Sequence, residues 1–310
     1  MKTALLFAGQ GAQELGMGGD FRETSPTARR LFDSANELLE FDLASVCANG
    51  PEETLTETGN AQPAIYLVSW IALALLRERL PGFTFQATAG LSLGEITALA
   101  AAGAFSFEDG LRLVRQRGRF MQEACQATRG GMAAIIGLDE TAIRLVCDAT
   151  GVTLANLNCP GQVVISGAID KIPAAVALAK LQGAKKAISL SVAGAYHSPL
   201  MADAQPKLAR ELAEIEFKTT RASVISNVTA QSHGDASQIR ELLVAQLTSS
   251  VRWEDSIRHL LSTGFTRFIE LGPGTALSGF MRRIDKTVPI LNVNNRQSLE
   301  ATVAALAEGS

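Results

Sequence analysis

Histidine is scarce in this chain: three residues in 310, His197, His233 and His259. Cysteine is almost as rare. No two of Cys47, Cys125, Cys147 and Cys159 have the spacing of a metal clip or of a C-x-x-C redox pair. That pattern predicts a reduced, cytoplasmic chain without metal. Excess charge of either sign is missing too. The 28 basic and 31 acidic residues leave a net charge of −3, which gives no footprint for nucleic acid. Long apolar runs are absent. The longest, Ala64 to Leu76, is interrupted by Ser69 and falls short of the roughly 20 residues that cross a bilayer, so it predicts a buried helix and no membrane partner. The N-terminal stretch Met1–Phe7 is too short for a signal peptide, and Gly9 and Gly11 follow it closely. There is no internal repeat and no low-complexity linker. A composition with 47% hydrophobic and 19% charged residues is that of a globular protein with a sizeable core.

Short apolar runs alternate with helical patterns, which predicts an α/β fold built on a parallel sheet. Strands are expected at residues 3–8, 88–91, 223–226, 267–271 and 289–292. Helices are expected at 61–79, 93–102, 107–127, 199–213 and 275–284. Two of the strands run into glycine-rich turns, Gly9-Gln10-Gly11 and Gly272-Pro273-Gly274. Strand ends of this kind are where open α/β sheets bind ligands. The middle of the chain reads differently. Strands at 132–138, 152–156, 162–166 and 186–192, with helices at 139–150 and 170–182, give the order βαββαβ. That is the ferredoxin-like unit. Residues 129–194 are therefore read as a small domain inserted into a larger one made of residues 1–128 and 195–310.

Gly90-Leu91-Ser92-Leu93-Gly94-Glu95 lies between an expected strand and an alanine-rich helix. A serine on a tight strand-to-helix turn projects its hydroxyl, and flanking glycines remove the Cβ atoms that would clash there. Backbone N–H groups at the helix start can stabilise developing negative charge. Ser92 is the candidate nucleophile; the bland alternative is a structural serine in a glycine-rich turn.

A serine nucleophile needs a base. His259 falls on an expected helix among Arg252, Asp255 and Arg258, a solvated setting. His233 sits in the polar loop Gln231–Asp235. His197, in Gly194-Ala195-Tyr196-His197-Ser198-Pro199, follows the small domain on a loop able to reach a cleft. No acidic residue stands out as the third member of a triad, and a backbone carbonyl can orient an imidazole too. On the helix expected at 107–127, Gly110, Val114, Arg117 and Met121 form one stripe. A guanidinium on that stripe suits bidentate capture of a substrate carboxylate or an ion pair with an internal acid. The residues alone leave both open.

Taken in order, Phe7–Gln13, Gly90–Glu95, Arg115–Ala124, Ala155–Ser166, Gly194–Met201 and Gln246–Trp253 resemble the malonyl-CoA:acyl carrier protein transacylases over essentially the whole chain. The resemblance implies an α/β-hydrolase-like large domain with a ferredoxin-like insert. It implies Ser92 as nucleophile and His197 as base. The backbone N–H groups of Gln10 and Leu93 would form the oxyanion hole, and the Gln246 carbonyl would orient His197. Arg117 would bind the malonyl carboxylate. The chain departs from the family pattern at Leu91, where histidine is usual, at Ala8 and Ala12 in the opening motif, and at Tyr196 before the loop histidine.

The implied reaction moves malonyl from malonyl-CoA to the phosphopantetheine thiol of acyl carrier protein through a serine ester. It needs no metal and no resident cofactor, coenzyme A and phosphopantetheine being substrates. It would supply fatty-acid synthesis, with a monomer as the working unit. Lys185, Lys186, Arg282, Arg283 and Lys286 are candidates for meeting an acidic carrier. The alternatives are an acyltransferase of a polyketide or malonate-decarboxylase system, a serine esterase on the same scaffold, and a catalytically silent carrier-binding domain.

Overall fold

The structure is a computed structural model, and it describes residues 1–308. Its strands, in chain order, are β1 (Lys2–Phe7), β2 (Ala87–Gly90), β3 (Gly130–Ile136), β4 (Thr153–Cys159), β5 (Gln162–Ala168), β6 (Lys186–Ser189), β7 (Ser223–Ile225), β8 (Phe265–Leu271) and β9 (Ile290–Val293). They form two sheets, with orders β7-β2-β1-β8-β9 and β4-β5-β3-β6. The chain divides into two compact units. One comprises Met1–Gly118, Ile215–Ile225 and the chain from Leu260 onward; the other comprises Arg119–Glu214 and Ser226–His259.

The five-stranded sheet lies in the first unit, and every pairing in it is parallel. β1 and β2 are buried almost throughout, as are the last four residues of β8. Continuous burial is what a parallel sheet with both faces covered requires. Register does the positioning. Phe7 stands opposite Gly90 on one side and Leu271 on the other. The turns after β1, β2 and β8 therefore leave the same edge of the sheet side by side. The helix Thr58–Arg79 packs in the core, with Ala61 to Val68 all buried. It is long and apolar enough to cross a membrane by length and composition, but most of it is buried inside the fold.

The second unit contains the four-stranded antiparallel sheet. Its elements run β3, helix Glu140–Thr150, β4, β5, helix Ile172–Leu181, β6. This is the βαββαβ order, with the strand order of a ferredoxin-like unit. Ile135, Ile143, Val146, Ile165 and Ile172 fill its core. Asp139 caps the first of these helices by accepting the Ala142 N–H at 2.8 Å. The Pro160-Gly161 turn brings Cys159 opposite Gln162, and Gly161 takes the positive φ of 68° that the turn needs.

One helix differs from expectation. In place of a continuous helix over residues 199–213, the structure has a 3-10 turn, Pro199–Ala204, followed by the α-helix Gln205–Glu214. Pro206 explains the break. Without an N–H it cannot bond back along the helix, and it is tolerated only in the first turn of a new one.

Candidate active site

Ser92 sits where β2 turns into the helix Leu93–Ala102, with φ 55° and ψ −104°. A positive φ is strained for a residue with a Cβ, and such strain persists only where the surroundings enforce it. Here close-packed glycines do so. A Cβ on Gly90 would lie 1.9 Å from the Gly94 carbonyl oxygen. One on Gly94 would lie 2.2 Å from the Phe7 carbonyl oxygen, and one on Gly9 would lie 2.4 Å from that of Leu91. The strand ends and the helix start are thus packed backbone against backbone. Leu93 is the first residue of the helix, and the N–H groups of a first helical turn have no intrahelical partner. Gln10 lies in the turn after β1, its side chain donating to Thr58 Oγ1 at 3.4 Å.

Arg117 is brought directly to the serine. All four residues of its stripe, Gly110, Val114, Arg117 and Met121, are buried. Arg117 Nη2 donates to Ser92 Oγ at 3.1 Å, and Nη1 donates to Gln62 Oε1 at 2.8 Å. Gln62 is fully buried on the helix Thr58–Arg79, one turn after Thr58. Two side chains on adjacent turns of one helix therefore meet Gln10 and Arg117. Gln62 is a site residue that the sequence reading does not single out. The available signal is an amide, Gln62, immediately before an apolar helical run, since a buried polar side chain needs a partner.

In the second unit, His197 is buried with φ 57°, and its Nδ1 lies 2.9 Å from the Gln246 carbonyl oxygen. A carbonyl can only accept, so Nδ1 carries a proton, and in the neutral ring the lone pair is on Nε2. Gln246 ends the helix Ala236–Gln246, where carbonyls lack intrahelical donors. Its own side chain donates to Asn227 Oδ1 at 3.3 Å. The turn bearing His197 is tied by Ser198, whose hydroxyl donates to the Ala195 carbonyl at 2.7 Å and accepts from the Leu200 N–H at 3.3 Å. Tyr196 is buried beside Cys125. Burial pushes that thiol up to about 11, against the opposing hydrogen bond of Tyr196. Of the remaining histidines, His259 lies on the helix Trp253–Ser262, and His233 lies in a loop.

A model of the acyl transferase domain matches residues 4–295. The malonyl CoA-acyl carrier protein transacylase of Bacillus subtilis (strain 168) is 46% identical over 312 residues, covering 99% of this chain and 98% of that protein. The chain belongs to the malonyl-CoA:acyl carrier protein transacylase family. Within that family, the Coxiella burnetii transacylase structure is 36% identical and superposes with a TM-score of 0.95, over 98% of this chain and 97% of that one. A malonyl-transacylase solved in complex with its type II polyketide acyl-carrier protein gives the same score and identity, over 98% of this chain and all of that one. Membership makes the protein an acyltransferase, and it matches the family in both sheets. Leu91, one residue before Ser92, is half-buried, and its N–H is bonded to the Phe7 carbonyl at 3.1 Å.

Proposed function

We propose that the chain transfers malonyl from malonyl-CoA to the phosphopantetheine thiol of acyl carrier protein, through an ester on Ser92. One observation carries this reading: a buried guanidinium, Arg117, already lies on the serine hydroxyl. In a malonyl ester on Oγ, one methylene separates the ester carbonyl from the free carboxylate, which keeps that carboxylate within reach of the same planar fork.

In the first half-reaction His197 Nε2 takes the Ser92 proton as Oγ bonds to the thioester carbon. The backbone N–H groups of Gln10 and Leu93 hold the resulting oxyanion. The C–S bond then breaks, and the leaving thiolate of coenzyme A takes the proton from the imidazolium. In the second half the carrier thiol gives its proton to Nε2 and attacks the ester. The C–O bond breaks, and Oγ recovers the proton. The Gln246 carbonyl holds His197 in the tautomer that both halves require. No metal or resident cofactor enters the scheme. We further read residues 129–194 as an insert in the catalytic domain, and the working unit as a cytoplasmic monomer serving fatty-acid synthesis.

The test is transfer itself. The purified chain, malonyl-CoA and holo acyl carrier protein should give malonyl-carrier, detected by intact mass. Release of free malonate at the same rate without carrier would favour a hydrolase. A second reading keeps the chemistry and changes the carrier, motivated by the likeness to the transacylase solved with a type II polyketide carrier. Relative kcat/KM on fatty-acid and polyketide carriers separates the two.

A further inference from the structure

We infer that Arg115 is a positioning residue that sets the malonyl selectivity of Arg117 by repairing a gap in the neighbouring helix. The inference rests on the proposed carboxylate-binding role of Arg117. Arg115 and Arg117 are two residues apart on the helix Phe107–Ala127, and both reach the first turns of the helix Thr58–Arg79. Arg117 takes Gln62 there. Arg115 takes the turn just before it, donating from Nη1 to the Gly59 carbonyl at 2.5 Å and to Asn60 Oδ1 at 2.7 Å. Its guanidinium also lies over the Phe41 ring, 4.3 Å from the centroid.

The choice of acceptor has a covalent reason. In an α-helix the carbonyl of residue 59 would receive the N–H of residue 63. Residue 63 is Pro63, inside this helix, and it has no N–H to give. The Gly59 carbonyl is thereby deprived of its helical donor in a buried setting. A buried carbonyl without a donor is costly, and a charged donor is a strong substitute. Arg115 supplies it. The repaired gap spans residues 59 to 63, the turn that contains Gln62. The same end of the helix carries Thr58, which accepts from Gln10. The two helices are close enough at this level that a Cβ on Gly118 would lie 2.5 Å from the Thr58 carbonyl oxygen. Loss of the Arg115 bond frees the turn to shift. Gln62 then no longer fixes the Arg117 fork, and recognition of a carboxylate suffers more than that of a methyl group.

The experiment compares kcat/KM for malonyl-CoA and acetyl-CoA in the full chain with Arg115→Met, Arg115→Lys, Pro63→Ala and the double variant Arg115→Met/Pro63→Ala. Arg115→Met should lower the malonyl-to-acetyl ratio about tenfold, chiefly through malonyl KM. Arg115→Lys, with one compact donor group, should fall between wild type and Arg115→Met. In the double variant the backbone N–H restored by Pro63→Ala bonds the Gly59 carbonyl, and most of the ratio should return. Pro63→Ala alone should keep the wild-type ratio. An unchanged ratio in Arg115→Met and Arg115→Lys overturns the inference, as does a double variant no better than Arg115→Met. Arg117→Ala in parallel separates the two levels. If Arg117→Ala lowers the ratio and the Arg115 variants do not, the inference fails alone. If Arg117→Ala leaves the ratio unchanged, the carboxylate-binding role fails and takes the inference with it.

Discussion

Arg117 donates a hydrogen bond to the hydroxyl of Ser92, the two side chains being 3.1 Å apart and both buried. The guanidinium is thus held on the Ser92 hydroxyl, with Gln62 fixing its other end. An arginine so placed contributes both charge and orientation.

Arg117→Ala should therefore cost malonyl transfer far more than acetyl transfer. Removing one partner of a buried charged pair typically costs about 2–5 kcal/mol. At roughly 1.4 kcal/mol per decade, that is about thirty- to several-thousand-fold in malonyl kcat/KM. Arg117→Lys should recover only part, because an ammonium lacks the planar fork. Equal losses on both thioesters would show that Arg117 serves the fold or Ser92 alone.

His197 should be found as its Nδ1–H tautomer near neutral pH, since the Gln246 carbonyl accepts from that nitrogen. Long-range proton–nitrogen correlations on histidine-labelled protein report this directly, and the chain has only three histidines to assign. His197→Ala should slow acylation about 10²–10⁴-fold, the usual range for a lost general base. A neutral Nε2–H tautomer would contradict the assignment of Nε2 as base.

Much of the fold was legible in the sequence because the decisive elements carry strong local signals. β1 ends in the apolar run Ala4–Phe7, β2 ends on Gly90, β8 leads into Gly272, and the elbow announces itself as Gly-x-Ser-x-Gly. The βαββαβ order was readable from alternating runs and the Asp139 cap. Helices covering the edges were harder. Pro26–Leu39 buries only Ala28, Phe32 and Ala35, so its apolar stripe is thin, although Ser25 followed by Pro26 is a readable start. Arg296–Glu308 similarly buries only Leu299, Thr302 and Leu306. The hydrogen bonds that Arg117 makes were not legible from the residues alone. Gln62 and Ser92 stand 55 and 25 residues away from it, and only tertiary packing brings those groups together.

Glu270 offers a test of the scaffold. This buried carboxyl, near the end of β8, accepts the Leu277 and Ser278 N–H groups at 3.0 and 2.8 Å and the Ser278 hydroxyl at 2.5 Å. Burial raises its pKa, and the hydrogen bonds only partly oppose this. With a folded value above the unfolded one, its stabilising contribution is full below the ordinary carboxylate range and is lost as pH rises through the folded value. The stability of wild type relative to Glu270→Gln should therefore be greatest at about pH 4 and smaller at about pH 8. Urea unfolding at both pH values measures it. A difference that grows with pH would mean that Glu270 is held ionised.

The most direct test of the account is the mass of the enzyme after brief mixing with malonyl-CoA alone. A single malonyl group should appear on the wild-type chain, map to the peptide containing Ser92, and disappear when holo acyl carrier protein is added. It should be absent from Ser92→Ala. An adduct that survives Ser92→Ala, or a wild-type chain that transfers malonyl without ever carrying it, would contradict the account.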